Sequence, residues 1–250
     1  MTTVEIRPLR GLEEYARCVD LQEQTWGPDF EHRVPASILM VAAETGGVIS
    51  GALEGGRLLG FVFGISGLRD GRPVHWSDML AVRPEARDRG LGLRLKLHQR
   101  ALLLERGIDR VLWTFDPLES RNAYLNLHKL GATVRSYRRD FYGASDSPLH
   151  AGIGTDRLVA DWRITSDRVV SRVAGGAPVS GGRAPGVDTV RVAIPPDIQA
   201  LKRVDLDRAA AWRSRVREAL EARLAEGFVA VDLERGPDRS HYVLTRPLSE

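Results

Sequence analysis

The stretch MLAVRPEARDRGLGLRL, residues 79 to 95, brings together the residue types and spacings most able to do chemistry. An apolar run leads into a turn of the form R-x-x-G-x-G, with Arg87, Gly90 and Gly92 at the marked positions, and the turn opens a helical pattern. Amides at the start of a helix have no intrahelical acceptor and point outward. The helix dipole adds positive potential there, and glycines let the main chain approach a ligand closely. Such a turn suits a diphosphate, and Arg87 and Arg89 add charge-assisted hydrogen bonds. In isolation R-x-x-G-x-G also describes an ordinary charged turn. The strand before it, the long helix after it and the segment SRNAYLNLHKLGA (residues 120 to 132) set it apart.

Asp78 precedes the stretch by one residue, where a carboxylate could serve as a general base; a structural aspartate paired with an arginine carries equal weight. His75, Glu31, His32 and Asp116 are lesser candidates. His32 reads as a solvated loop histidine and His128 as a helix-surface residue. The single cysteine, Cys18, excludes an intrachain disulfide and a multi-cysteine zinc site; it reads as a buried small hydrophobe, and no metal site is expected.

The elements that must position these residues follow from periodicity. A strand is expected over 4–9, helices over 11–26 and 36–43, and strands over 48–53 and 57–63, joined at Glu54-Gly55-Gly56 because such a hairpin needs positive φ. The next strand covers Val74–Val82. Strict alternation there puts Trp76, Asp78, Leu80 and Val82 on one face and His75, Ser77, Met79 and Ala81 on the other. A helix over 91–106, a strand over 110–115, a helix over 122–130 and strands over 133–142 and 157–164 complete a mixed α/β sheet. The Gly-, Ala-, Ser- and Pro-rich stretch 171–187 reads as a flexible linker. Beyond it, a strand (189–194), a helix (206–226) and two strands (228–233 and 241–245) form a β-α-β-β extension. The division expected is a domain over 1–165, a linker over 166–188 and a small α/β extension over 189–250.

The 250 residues are 43% hydrophobic and 28% charged, with a formal net charge of +3. That composition supports a packed core rather than a disordered chain. The cations are mostly arginines spread evenly, which speaks against a nucleic-acid partner. No apolar run approaches a membrane span, and the first residues lack the apolar core of a secretory signal; no membrane association and a cytoplasmic location are expected.

On the R-x-x-G-x-G turn, the order of elements and SRNAYLNLHKLGA, residues 4 to 165 resemble the GCN5-related N-acetyltransferase (GNAT) superfamily. The resemblance implies a mostly antiparallel mixed sheet with flanking helices, and an acetyl-CoA or other acyl-CoA cosubstrate. It places main-chain groups of Leu80, Ala81 and Val82 against the pantetheine arm, on a strand that splays from its neighbour at a bulge. Arg87, Asp88, Arg89, Gly90, Leu91, Gly92 and Leu93 fall at the pyrophosphate, with Ser120 and Asn122 at the family asparagine. Leu127 stands where the family often has a tyrosine that protonates the departing thiolate; Tyr124 is the candidate replacement. Asp78 would deprotonate the amine, and the amide of Leu80 or Ala81 would hold the oxyanion. The acceptor would enter over TWGPDFEHRVP, lined by Trp26 and Phe30. The implied activity is acyl transfer to the primary amine of a small molecule or amino acid. Succinyl-CoA, with Arg69, Arg72 or Arg83 on its distal carboxylate, is an alternative donor. A non-catalytic acyl-CoA-binding module is the alternative class. A homodimer stays among the open oligomeric states.

Overall fold

The computed structural model describes residues 3–28, 30–143, 152–176 and 187–247. The chain divides into two compact units, the first running to Leu112 and the second starting at Trp113.

In the first unit, β1 (Glu5–Pro8), β2 (Val48–Glu54), β3 (Arg57–Arg69), β4 (Arg72–Val82) and the start of β5 (Arg110–Phe115) lie in that spatial order. Neighbours pair antiparallel except β4 and β5, which run parallel. Gly55 and Gly56, at φ 57° and 81°, make the tight β2–β3 turn the sequence calls for. Helices α1 (Gly11–Trp26) and α2 (Ala36–Glu44) cover one face of the sheet. Tyr15, Cys18 and Leu21 of α1 and Leu39 of α2 pack with Phe61, Phe63, Met79 and Ala81. The burial of Cys18 pushes its thiol up to about 12, as suits a hydrophobe rather than a nucleophile. A single turn of 3₁₀ helix (Pro84–Ala86) leads toward α3 (Leu91–Glu105), which covers the other face. Leu91 and Leu95 there meet Val4, Ala52, Leu59 and Val62, with Leu80 and Val82 packed against them.

The face assignment expected for β4 fails at its centre. Phe63 pairs with Met79 and Ile65 with Trp76, so Ser77 and Asp78 together oppose the single residue Gly64. This bulge adds one residue and shifts the alternation. His75 and Ser77 turn to α3, where they bond Gln99, and share that face with Leu80 and Val82. Met79 and Ala81 lie on the opposite face with α1 and α2.

The second unit carries the rest of β5, then α4 (Ser120–Ala123), which widens into one π-helical turn over Tyr124–Lys129. Next come β6 (Thr133–Arg138), β7 (Arg157–Arg163), α5 (Asp167–Val173), β8 (Val187–Ile194), α6 (Ile198–Val204), α7 (Leu206–Ala225), β9 (Val229–Glu234) and β10 (Ser240–Pro247). The strand order is β7-β6-β9-β10-β8. Val134 of β6 pairs with Ala230 of β9, so the extension joins the sheet that β6 and β7 belong to. Within the stretch expected as a linker, 167–173 are helical, 187–188 open β8, and 177–186 lie outside the described residues. The division between compact units falls inside β5 rather than at that stretch. Among the described residues, no helix is long and apolar enough to cross a membrane.

Candidate active site

The turn between β4 and α3 is built on two left-handed residues, Asp88 at φ 63° and Gly90 at φ 71°. Left-handed geometry costs a non-glycine residue about 1–2 kcal/mol, and aspartate is among the side chains that tolerate it. Gly90 is the N-cap of α3 and offers no side chain to the helix start. The amide of Arg94 donates to Gly90 O at 3.1 Å, the first bond of the helical ladder. The amides of Leu91, Gly92 and Leu93 therefore precede the ladder and face outward, as an anion site requires. Arg87, Asp88, Arg89 and Gly90 are all exposed, while Leu91 is buried and anchors the helix.

The two flanking arginines differ. Arg89 forms a forked pair with Glu54, at 2.6 and 3.3 Å, in which both side chains keep solvent contact. Such an exposed pair is weak and can open to a stronger anion. Arg87 is exposed at the end of the 3₁₀ turn. Of the arginines considered for a distal carboxylate, Arg83 donates to Leu58 O at 2.7 Å and is also bonded to Gln24, while Arg69 and Arg72 pair with each other in register at the exposed end of the β3–β4 hairpin.

The two edges of β4 are used differently. Arg83 N donates to Leu59 O at 2.8 Å, and a Cβ on Gly60 would lie 2.7 Å from Ala81 O. Ala81 and Arg83 thus direct their main-chain groups at β3, and alternation turns those of Leu80 and Val82 to the other edge. There the described ladder with β5 consists of His75↔Val111 and Trp76↔Leu112. Of the two amides expected to hold an oxyanion, the geometry favours Leu80 over Ala81.

Asp78, at the bulge, faces the α1–α2 side. Its surface is exposed, yet enough protein surrounds the carboxyl that desolvation raises its pKa; the Trp76 indole donates to it and His32 lies close enough to act on its charge, both lowering it in part. The loop before α2 brings further rings. Trp26 stacks on Phe30 at 5.4 Å, and Phe30 meets the His32 ring edge-on at 5.9 Å. The loop is pinned by Gln22 of α1, which gives Nε2 to Val34 O at 3.0 Å and takes Val34 N at 2.7 Å. Trp26, Phe30, His32, Trp76 and Asp78 so form one linked set.

Behind the bulge lies a polar cluster that sequence reasoning missed. Lys96 and Gln99 of α3 are buried and bond to Ser77, and Gln99 also reaches His75. Burial brings the Lys96 amine down to about 7, and burial reinforced by the Lys96 and Arg106 charges brings His75 down to about 3. His75 is thus a neutral core histidine rather than a base. The one signal available was a lysine at a helix position otherwise flanked by leucines.

Ser120, Asn122 and Tyr124 belong to the second unit. Ser120 is buried with its hydroxyl 2.8 Å from that of Ser240, and Asn122 is exposed. Tyr124 is half-buried, its ring 4.4 Å from the His128 ring and 5.5 Å from the Arg235 guanidinium. His128, expected on an open helix surface, stands 3.0 Å from Asp232 of β9. Leu127 is wholly buried, so the family tyrosine position holds a core side chain. Asp116 accepts from Leu118 N at 2.8 Å and from Arg213 at 2.6 Å, with Arg157 at 3.8 Å; those bonds mark it as structural.

Residues 12–132 match the model of the acetyltransferase (GNAT) family. No curated protein sequence matches the chain. Among solved structures, an acetyltransferase of the GNAT family from Streptococcus pneumoniae is 17% identical, with a TM-score of 0.51 over 64% of this chain and 98% of that one. The Salmonella typhimurium protein yncA, solved with its cofactor acetyl-CoA, is 15% identical, with a TM-score of 0.51 over 66% and 96%. Aminoglycoside 6'-acetyltransferase type Ii is 16% identical, with a TM-score of 0.51 over 65% and 98%. At these identities the likeness is one of fold. Residues 12–132 therefore form an acetyltransferase domain of the GNAT family.

Proposed function

We propose that the protein transfers an acetyl or other short acyl group from acyl-coenzyme A to the primary amine of a small molecule or amino acid. The observation that carries this is the left-handed turn at Gly90, which sets outward-facing amides at the start of α3 close in sequence to a bulged strand bearing Asp78. The turn suits a diphosphate, and the strand supplies a carboxylate and a main-chain donor.

In this reading the amine arrives as an ammonium, because an alkylamine has a pKa near ~10.4. Asp78 takes its proton directly or through water, and the free amine attacks the thioester carbonyl. The Leu80 amide holds the developing oxyanion. The carbon–sulfur bond breaks and the thiolate leaves. With a thiol pKa of about 8.5, it needs little help from an acid, which accommodates leucine at 127. Tyr124 is the residue proposed for such help. The aromatic set beside Asp78 supports a cationic acceptor, since an ammonium is attracted to ring faces.

The buried Leu127 also favours a second reading, a domain that holds acyl-CoA without turnover. A steady-state assay of thiol release over a panel of primary amines separates the two. The enzyme reading expects amine-dependent release with at least one member. Tight CoA binding with no release for any amine supports the binding module instead.

A further inference from the structure

The side of α3 that meets the sheet is apolar at Leu91 and Leu95, yet it buries Lys96, at 2% exposure, and Gln99. Taking an ammonium out of water costs far more than placing an apolar side chain of similar volume there. Both side chains turn to the same place. Lys96 Nζ donates to Ser77 Oγ at 2.9 Å and to Gln99 Oε1 at 2.7 Å, and Ser77 Oγ donates to the same Gln99 oxygen at 3.1 Å. Gln99 Nε2 donates to His75 Nε2 at 3.0 Å, which leaves the proton of the neutral ring on Nδ1, 3.0 Å from Ser66 Oγ. Ser66 Oγ donates to Gly46 O at 2.8 Å. One assignment of protons satisfies the whole chain of bonds.

The network ends at the bulge. Ser77 and Asp78 are the two residues set against Gly64, and they point to opposite faces. Holding the Ser77 side chain fixes the peptide that joins it to Asp78. We propose that Lys96 is a positioning residue for acyl transfer, which by holding Ser77 in the bulge sets the direction of the Asp78 carboxylate. The proposal rests on the reading of Asp78 as the base.

The test uses the full chain and compares Lys96→Met, Ser77→Ala and Asp78→Asn, alone and combined. Misplacing a reacting group by about 1 Å costs on the order of 10²-fold, so Lys96→Met is expected to lower kcat by about that factor. Ser77→Ala is expected to lower it in the same direction. The KM for acyl-CoA stays at the parent value in both, because the turn at Gly90 is untouched. Lys96→Met combined with Asp78→Asn falls no further than Asp78→Asn alone, as for residues acting through one another. A lysine that merely supports the fold gives losses that multiply in the combined variant, and that result overturns the proposal, as does parental kcat in folded Lys96→Met. Should Lys96→Met fail to fold, Ser77→Ala completes the same cycle with Asp78→Asn and decides the matter. Parental kcat in Asp78→Asn removes the base and this proposal with it; a loss there without coupling to Lys96 removes the proposal alone.

Discussion

Asp78 combines an exposed surface with a carboxyl whose ionisation the surrounding protein disfavours. Desolvation raises its folded pKa above that of an ordinary aspartate, so its charge is a cost to folding that is absent below the unfolded pKa, grows as pH rises from there and is complete above the folded pKa. Asp78→Asn is accordingly expected to leave the melting temperature unchanged or slightly raised, while lowering kcat by about 10²–10⁴-fold, the range for a general base. The same shift places the acid limb of the parent's kcat/KM profile, which reports the free enzyme, above the pH at which a free aspartate titrates, and rate rises with pH through it. Thermal melts alongside pH-rate profiles check both. The sequence could put Asp78 next to the chemistry, because its place before the turn is read directly along the chain. It could not show the face Asp78 occupies, since one inserted residue reverses the alternation. Lys96 was harder to read for a simpler reason: apart from its leucine neighbours nothing marks it, lysine on a helix reads as solvated, and packing places it beneath Ser77.

At the scale of elements, the bulge depends on the absence of a side chain across from it. A Cβ on Gly64 would lie 2.2 Å from His75 Nε2 and 2.5 Å from Trp76 O. Neither can yield without moving the buried ring or the strand. Gly64→Ala is expected to destabilise the protein by about 1–3 kcal/mol, the usual range for overpacking, read as a lower denaturation midpoint, and to reduce turnover in the fraction that remains folded. The β2–β3 turn and the start of α3 were legible because glycine pairs and R-x-x-G-x-G announce positive φ locally. The bulge has no such local mark; Gly64 sits in an apolar run and acquires its meaning from the partner strand. The π-helical turn at Tyr124–Lys129 was equally hidden. It widens the helix by one residue in the ladder, with Leu130 N bonding Leu125 O, so ordinary α-helical spacing does not apply there.

At the scale of the whole molecule, the last sixty residues do not stand apart from the elements before them. In the second unit β9 pairs with β6, the Tyr242 hydroxyl donates to Pro117 O at 2.8 Å, and Arg213 of α7 meets Asp116 at 2.6 Å with both side chains nearly inaccessible. Removing one partner of a buried pair strands the other, at a cost of about 3–5 kcal/mol. Asp116→Ala is expected to lose that much in chemical denaturation, which separates a structural carboxylate from a catalytic one. The sequence marks a linker and a small extension because Gly and Pro cluster before it, and it leaves open what that extension packs against. Pairing between strands nearly a hundred residues apart leaves no pattern in either, so the shared sheet had to be seen.

Whether amides at the left-handed turn grip the diphosphate of coenzyme A is tested most directly by calorimetric titration of CoA into the parent, Gly90→Ala and Gly90→Glu. A Cβ at Gly90 meets nothing within 4 Å, so alanine carries the backbone strain of φ 71° alone, while glutamate adds a negative charge. Binding by the parent, binding by Gly90→Ala, and a loss of at least about tenfold in Gly90→Glu, or about 1.4 kcal/mol, is the predicted result. No heat with the parent, or equal affinity in Gly90→Glu, would contradict it.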